Sequence, residues 1–337
     1  MLLFDTFKDT IFLKESSELQ KQYQELIKLS KEYPNNENIK EKIYIVKKGL
    51  DGENEIKYQL EKSNIGLYVL HDINIEYENL KAQIDYVIIT KAYCYFIECK
   101  NLNGNITIDE KGDFIKEYTY KNEKKKIGMY SPLRQVEAQR DVYKKIWNNK
   151  LNKNKLLNNI IRFISEKNFT DTYRVLVVVA NKETILNTKN APKEIKEKVL
   201  RSDSLVRKIE EDIKNSNKDM WSNKKEMETW ANSFLNSNKK IDTDYYNLYK
   251  NKYCNKIINK QEIKEELINF RKTRSKEMNI PAYYVFTNEE LDKIIEILPQ
   301  TIEELKKAQI ISDIKIKTHG ELIIKEINKL TTDNLHS

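Results

Sequence analysis

A paired-strand pattern in residues 83–100 limits the possible folds of this chain more than any other segment. The segment reads QIDYVIITKAYCYFIECK, with apolar, β-branched and aromatic residues on both sides of Lys91-Ala92. Such runs around a two-residue connection predict an antiparallel β-hairpin, although Lys-Ala is not the Asn-Gly type of turn that hairpins prefer. Pairing about this turn sets Thr90 opposite Tyr93 and fixes every pair farther out.

The same register places two carboxylates, Asp85 and Glu98, opposite each other. Side chains in such pairs have Cβ atoms about 4.5–5.5 Å apart, and like charges at that spacing repel. A divalent cation between them would explain the pair, and Mg²⁺ or Mn²⁺ prefers oxygen ligands. Lys100 lies two residues beyond Glu98 and therefore projects from the same face of the strand.

These residue types match the parts needed to hydrolyse a phosphodiester bond. A metal ion polarises the phosphate and lowers the pKa of water, and a lysine stabilises the developing charge. Glu53 is a candidate third acid, because apolar residues at i+3 and i+7 place it on the sheet-facing side of its helix. Gln135 and Gln139, at i and i+4, are candidates to present amides to the site. The alternative is an ordinary strand surface, since a Glu-x-Lys triplet alone is common.

The chain of 337 residues is long enough for two or more domains. Four regions are predicted: an N-terminal helical segment (1–46), a sheet domain (47–182), a helical linker region (183–260) and an all-helical unit (261–332). The fold class is therefore α+β, with a mixed sheet flanked by helices and followed by a small all-α bundle.

Local signals mark several elements. Residues 49–52 are expected to form a tight glycine loop that opens the helix of Glu53. Ser131-Pro132 predicts a helix start, and residues 174–180 predict a buried strand. In the C-terminal unit, Thr287 and Thr301 each begin a capping box. A further set of tyrosines at helical spacing is typical of a packing face, with base stacking as the alternative; it comprises Tyr245, Tyr246, Tyr249 and Tyr253.

Charge and cysteine content restrict the partners and the compartment. The net charge of +8 favours affinity for phosphate backbones, although lysines occur throughout and could be ordinary helix surface. The three cysteines form no CxxC pair, which indicates a reducing compartment. The longest apolar run is too short to cross a bilayer, and charges interrupt the start of the chain. A cytoplasmic protein without membrane contact is expected.

Several motifs in order resemble the nuclease-related domain (NERD), a member of the PD-(D/E)XK nuclease-like superfamily, over about residues 47–180. They are Gly49-x-x-Gly52-Glu53, Gln83-Ile84-Asp85, Glu98-Cys99-Lys100-Asn101, Gly104-Asn105-Ile106 and Ser131-Pro132-Leu133-Arg134-Gln135. The resemblance implies a metal-dependent nuclease site. Its acids and metal ligands would be Glu53, Asp85 and Glu98, with Lys100 as catalytic lysine and Gln135 as the helix glutamine. Ile84 stands where the superfamily name has proline.

The C-terminal unit, over about residues 261–332, resembles an HRDC domain (helicase and RNase D C-terminal). The resemblance rests on Ile280 to Thr287 and on Leu298-Pro299-Gln300-Thr301. It implies a small helical bundle that binds nucleic acid weakly or contacts proteins. His319 is expected to be a surface residue at a helix start. The chain has no GxxxxGK[ST] loop, so any helicase or DNA-repair motor would be a partner.

Together these patterns predict a Mg²⁺- or Mn²⁺-dependent nuclease that hydrolyses phosphodiester bonds of DNA, with the HRDC-like unit aiding nucleic-acid binding. A catalytically inactive nucleic-acid-binding protein that keeps the nuclease fold is the first alternative. The second is an interaction scaffold whose basic surface is incidental. Clustered acids argue against the first alternative, because binding alone does not require carboxylates that repel phosphate.

Overall fold

The computed structural model describes residues 7–120, 123–153, 168–254 and 260–332. The chain divides into two compact units. The first comprises residues 1–27 and 41–245, and the second comprises residues 28–40 and 246–337.

The first unit is built on a mixed β-sheet. Among the described residues, a six-stranded sheet has the order β1-β2-β3-β4-β8-β10. Its strands are β1 (Thr10–Lys14), β2 (Leu67–Tyr77), β3 (Leu80–Ile89), β4 (Cys94–Lys100), β8 (Tyr173–Val179) and β10 (Val199–Arg201). The three central strands β2, β3 and β4 are antiparallel, whereas β1, β8 and β10 each run parallel to their neighbour. The predicted α+β class with a mixed sheet is confirmed.

A smaller sheet has the order β7-β6-β5-β9. Its strands are β5 (Asn105–Ile108), β6 (Phe114–Tyr120), β7 (Glu123–Met129) and β9 (Leu186–Asn187). The β6–β7 hairpin was not predicted from the sequence. Its outer strand is mostly exposed and lysine-rich, so it lacks the apolar alternation by which strands are recognised.

The predicted register of the β3–β4 hairpin is confirmed in the pairs from Ile89 with Cys94 to Tyr86 with Ile97. Thr90 compensates for the unfavourable Lys-Ala turn. Its Oγ1 accepts hydrogen bonds from the amides of Ala92 at 3.1 Å and Tyr93 at 2.8 Å. A buried threonine hydroxyl therefore does locally what an Asn-Gly turn does through its backbone preference.

Helices cover both faces of the large sheet. Successive β4 residues point to opposite faces, so neighbouring side chains of this strand lie in two different cores. Phe96 lies in one core with Val136 of helix α3 (Pro132–Lys153). Tyr95 lies in the other core with Ile56 of helix α2 (Glu37–Glu61). Helix α1 (Glu18–Glu32) precedes α2. The further α-helices among the described residues of this unit are Lys193–Lys196, Leu205–Lys214 and Lys224–Leu235.

The glycine loop expected at residues 49–52 is wrong, since α2 continues through it from Glu37 to Glu61. The glycines have a packing function instead. A Cβ on Gly52 would lie 2.7 Å from Asn101 Cβ and 3.1 Å from Cys99 Sγ. The absence of a side chain therefore lets α2 approach the end of β4 closely, one residue before Glu53.

Two segments expected to be purely helical also contain strands. Strand β1 lies within the N-terminal segment and pairs with β2, while β9 and β10 lie within residues 183–260. These strands are short and their partners are distant in sequence. Their local pattern therefore does not separate them from a helix.

The second unit is helical around its own apolar core. From Tyr245 onward, the described α-helices are Tyr245–Tyr249, Lys260–Glu277, Asn288–Ile297, Ile302–Lys307, Asp313–Lys315 and Glu321–Thr332. Leu267, Phe286 and Leu305 are fully buried in the core. In the described part of the chain, no helix is long and apolar enough to span a membrane.

Three local predictions in this unit have different outcomes. The capping box at Thr287 is confirmed, with both reciprocal hydrogen bonds to Glu290. Thr301 caps its helix, but the Glu304 carboxylate accepts from the Gln300 amide rather than closing the box. The surface position expected for His319 is wrong, since this residue is only 3% exposed. It lies in a π-helical turn whose next residue, Gly320, packs against the helix Ile302–Lys307.

The tyrosine stripe behaves as a packing feature where the structure describes it. Tyr249 is buried, and its ring stacks on that of Tyr253 with centroids 5.9 Å apart. Tyr246 donates a hydrogen bond to the Glu32 carboxylate at 2.6 Å. These contacts support the packing interpretation and leave base stacking without support.

Candidate active site

The two facing acids lie at the end of the β3–β4 hairpin farthest from its turn. Asp85 and Glu98 lie one position beyond the last pair of the hairpin, Tyr86 with Ile97, so the register sets them opposite each other. Glu98 is 2% exposed, and Asp85 is half-buried. The Cys99 amide donates a hydrogen bond to Asp85 Oδ2 at 2.7 Å. The backbone of β4 therefore holds the Asp85 carboxyl beside Glu98.

The electrostatics of Asp85 show that the candidate acids influence one another. Burial, followed by the Glu98 charge, raises the pKa of Asp85 well above its ordinary value. Glu53 raises this pKa further, while Lys100 and the Cys99 amide lower it. Like charges held together favour a cation in their midst, because it removes their repulsion.

Lys100 and Gln139 of α3 hold the Glu98 carboxylate from both sides, and Gln135 of α3 contacts Lys100. Lys100 Nζ lies 2.5 Å from Glu98 Oε1 and also donates to Gln135 Oε1 at 3.2 Å. Gln139 Nε2 donates to Glu98 Oε2 at 2.9 Å. The Ser131-Pro132 helix start places these side chains, since α3 begins at Pro132. The structure thus places both candidate glutamines, Gln135 and Gln139, beside Lys100 and Glu98.

Glu53 is buried and contacts a histidine that the sequence analysis did not select. Its Oε2 lies 2.8 Å from His71 Nε2, and it is 4% exposed. The His71 ring stacks on Tyr86, with centroids 4.4 Å apart and planes 6° apart. Tyr86 in turn donates from its hydroxyl to the Glu53 main-chain oxygen at 2.9 Å. A histidine interrupting the apolar strand LYVLHDINIEY was the available signal.

The donor set fits a hard divalent cation. Among the described residues, no group of three or more His, Cys, Asp or Glu side chains is arranged to hold a metal ion. Mg²⁺, however, usually takes one or two carboxylates and fills its remaining positions with water and phosphate oxygens. Asp85 and Glu98 supply two carboxylates. Gln139 Oε1 is buried without a hydrogen-bond partner in the described structure, and such an acceptor suits a hydrated cation.

Comparisons with known proteins agree with this architecture. Residues 48–178 match the family model of the nuclease-related domain, and residues 260–327 match that of the HRDC domain. The chain carries a NERD domain followed by an HRDC domain. All six candidate site residues lie within the NERD match. NERD implies a nuclease-like domain, and HRDC implies nucleic-acid binding.

Among solved structures, a chain described as "D. radiodurans RecQ HRDC domain 3" is 28% identical, with a TM-score of 0.21. The match covers 22% of this chain and 97% of that chain. The search of curated proteins gives no match. The NERD match begins at Lys48, so strand β1 and helix α1 lie outside it.

Proposed function

We propose that the NERD domain is a Mg²⁺- or Mn²⁺-dependent nuclease that hydrolyses phosphodiester bonds of DNA. The observation that carries this proposal is the convergence of Asp85, Glu98 and Lys100 at one end of the hairpin. A nucleic-acid-binding surface has no need for two facing carboxylates, which repel phosphate. A metal-dependent hydrolase does need them.

Each residue has a distinct role in this proposal. Asp85 and Glu98 would hold the ion, and Glu53 would complete the acidic set. When bound, the ion would supply Lewis acidity at the phosphate and lower the pKa of water. Lys100 stabilises negative charge that develops on the phosphate. Gln135 orients the Lys100 ammonium through its Oε1, 3.2 Å away.

Gln139 holds the other side of Glu98. Because its amide nitrogen donates to Oε2 at 2.9 Å, the carboxylate plane is fixed with respect to the strand. A ligand whose orientation is fixed in advance loses less entropy when it binds an ion.

One observation favours a catalytically inactive nucleic-acid-binding protein as the alternative. Both oxygens of Glu98 already have partners, Lys100 and Gln139. One oxygen of Glu53 is likewise bonded to His71. The acids are therefore satisfied in part without a metal ion, as they would be in a fold that no longer cleaves.

The HRDC domain would aid binding of the nucleic acid, and a helicase or DNA-repair protein would be a partner of this chain in the cytoplasm. This role follows from the HRDC match and from the net charge of +8, which favours phosphate backbones.

The test is cleavage of labelled single-stranded, duplex and nicked DNA, with RNA in parallel, in Mg²⁺, Mn²⁺ or EDTA. Asp85→Asn and Lys100→Met are each expected to lower the cleavage rate by about 10²–10³-fold, since they remove charge stabilisation at the reacting phosphate. Asp242→Asn is the matched control, because Asp242 is exposed in the same unit.

Cleavage at the wild-type rate in both variants would overturn the site assignment. DNA binding without cleavage of any substrate by the wild-type protein would favour the inactive alternative. Cleavage of RNA but not DNA would correct the substrate and keep the site.

A further inference from the structure

We infer that His71 is a positioning residue for Glu53, and that the N-terminal segment 10–18, which lies outside the NERD match, holds His71 in place. The hydrogen bonds of His71 support this positioning role directly. The expected effect of His71 on metal binding and cleavage rests on the proposed nuclease function.

The two ring nitrogens of His71 fix where its protons lie. Nδ1 lies 3.0 Å from the main-chain oxygen of Glu15, which can only accept, so Nδ1 carries a proton and donates it. Nε2 lies 2.8 Å from Glu53 Oε2, which is within hydrogen-bonding distance. His71 therefore holds one specific oxygen of Glu53, Oε2, and so fixes the rotation of its carboxylate.

The Glu53–His71 contact belongs to a closed set of three side chains. Tyr86 stacks face to face on the His71 ring and donates from its hydroxyl to the Glu53 main-chain oxygen. The stacking prevents rotation of the imidazole, and the Tyr86 hydrogen bond ties helix α2 to strand β3. All three residues are at least nine-tenths buried.

The N-terminal segment secures the other side of His71. Besides the Glu15 oxygen, Lys14 Nζ donates to the main-chain oxygens of His71 at 2.8 Å and Asp72 at 2.6 Å. Asp72 has a positive φ of 57°, and its Oδ2 accepts from the Glu18 amide at 2.8 Å. Such backbone geometry is unfavourable for a residue other than glycine and persists only where its surroundings enforce it.

Without His71, the Glu53 carboxylate would lose the partner that fixes its rotation. Partners that orient a metal ligand typically change metal affinity or activity about 10–100-fold when mutated. Glutamine is a conservative replacement, because its Nε2 is separated from Cβ by as many bonds as His71 Nε2 and can donate to the same carboxylate oxygen.

The test measures Mn²⁺ binding to the full chain by isothermal titration calorimetry, without DNA. His71→Leu is expected to weaken Mn²⁺ binding about 10–100-fold, and His71→Gln is expected to restore most of it. His319→Gln is the control, because His319 is equally buried but lies in the other unit. In cleavage assays, His71→Leu should lower kcat and raise the Mn²⁺ requirement while the KM for DNA stays unchanged.

A His71→Leu variant that is folded by circular dichroism and binds Mn²⁺ as tightly as wild type would overturn the inference. Equal loss in His71→Leu and His71→Gln would also overturn it, since only the donor is meant to matter.

A double-mutant cycle separates this inference from the proposed function. Urea unfolding of His71→Leu, Glu53→Gln and the double variant should give non-additive changes in unfolding free energy, because the two side chains contact each other. Additive changes would overturn the positioning role. If wild-type protein neither binds Mn²⁺ nor cleaves nucleic acid, the proposed function fails, and the cycle still decides whether His71 fixes Glu53.

Discussion

At the residue scale, Gln139 joins the stability of the NERD domain to its candidate chemistry. Gln139 is 7% exposed, and its Nε2 donates to Glu98 Oε2 at 2.9 Å. We predict that Gln139→Leu, which keeps the approximate volume, lowers the free energy of unfolding by about 1–3 kcal/mol, because a buried carboxylate oxygen loses its donor. Urea unfolding monitored by circular dichroism measures the change.

Gln20→Leu is the matched control, because Gln20 is exposed. It should change the free energy of unfolding by at most about 0.5 kcal/mol, as surface substitutions usually do. Equal stability of Gln139→Leu and wild type would contradict the contribution assigned to the Gln139 amide.

The sequence could place the candidate acids because simple periodicities govern their positions. Hairpin pairing relates Asp85 to Glu98, strand alternation relates Lys100 to Glu98, and helical spacing places Glu53 toward the sheet. His71 lacks such a relation, since its contact with Glu53 joins two elements through tertiary packing. A lone histidine in an apolar strand does not reveal its partner before the fold is known.

At the element scale, the packing of α2 against β4 depends on Gly52. A Cβ at this position would lie 2.7 Å from Asn101 Cβ, closer than carbon atoms normally approach. We predict that Gly52→Ala lowers the free energy of unfolding by about 1–3 kcal/mol, because the helix must move away from the strand. It should also weaken Mn²⁺ binding, since Glu53 is the next residue.

Gly128→Ala is the control for this variant. A Cβ on Gly128 meets no atom within 4 Å, so the added methyl group has space. Thermal unfolding and Mn²⁺ titration of the two variants compare a crowded with an open glycine. If Gly52→Ala is as stable as Gly128→Ala, close approach of α2 to β4 is not what Gly52 provides.

Elements with strong local signals were predictable, and those defined by distant pairing were not. The β3–β4 hairpin, the start of α3 and the Thr287 cap each follow from residues near one another in sequence. Strands β1 and β10 exist because β2 and β8 offer them parallel edges. The loop predicted at the glycines of α2 was wrong, because glycine in a helix costs about 1 kcal/mol and therefore usually indicates a loop.

At the scale of the whole molecule, the chain combines a sheet unit with candidate metal chemistry and a helical unit with its own core. The matches of the two units to NERD and HRDC imply a nuclease-like domain and nucleic-acid binding. The sequence predicts a separate C-terminal unit because residues 261–332 have their own capping signals and apolar spacing. The net charge of +8 is a property of the whole chain and leads to a prediction about the salt dependence of DNA binding.

We predict that DNA affinity falls steeply as salt concentration rises. A protein that neutralises phosphates releases the counterions condensed on DNA, so the logarithm of its affinity falls linearly with the logarithm of salt concentration. Fluorescence anisotropy with a labelled duplex, in EDTA to prevent cleavage, measures the slope. At a pH above the raised pKa of Asp85, Asp85→Asn should bind DNA more tightly than wild type under these conditions, because it then removes one of the facing negative charges near the phosphate.

The DNA affinities of wild type and Asp85→Asn in EDTA distinguish a nuclease from an interaction scaffold. An interaction scaffold with an incidental basic surface would show weak affinity, and removing the Asp85 charge would leave it unchanged. A nuclease site presents its acids to the phosphate, so its affinity in EDTA must respond to their charge. Asp242→Asn makes the same change in net charge at an exposed position, and therefore isolates the contribution of the site from that of overall charge.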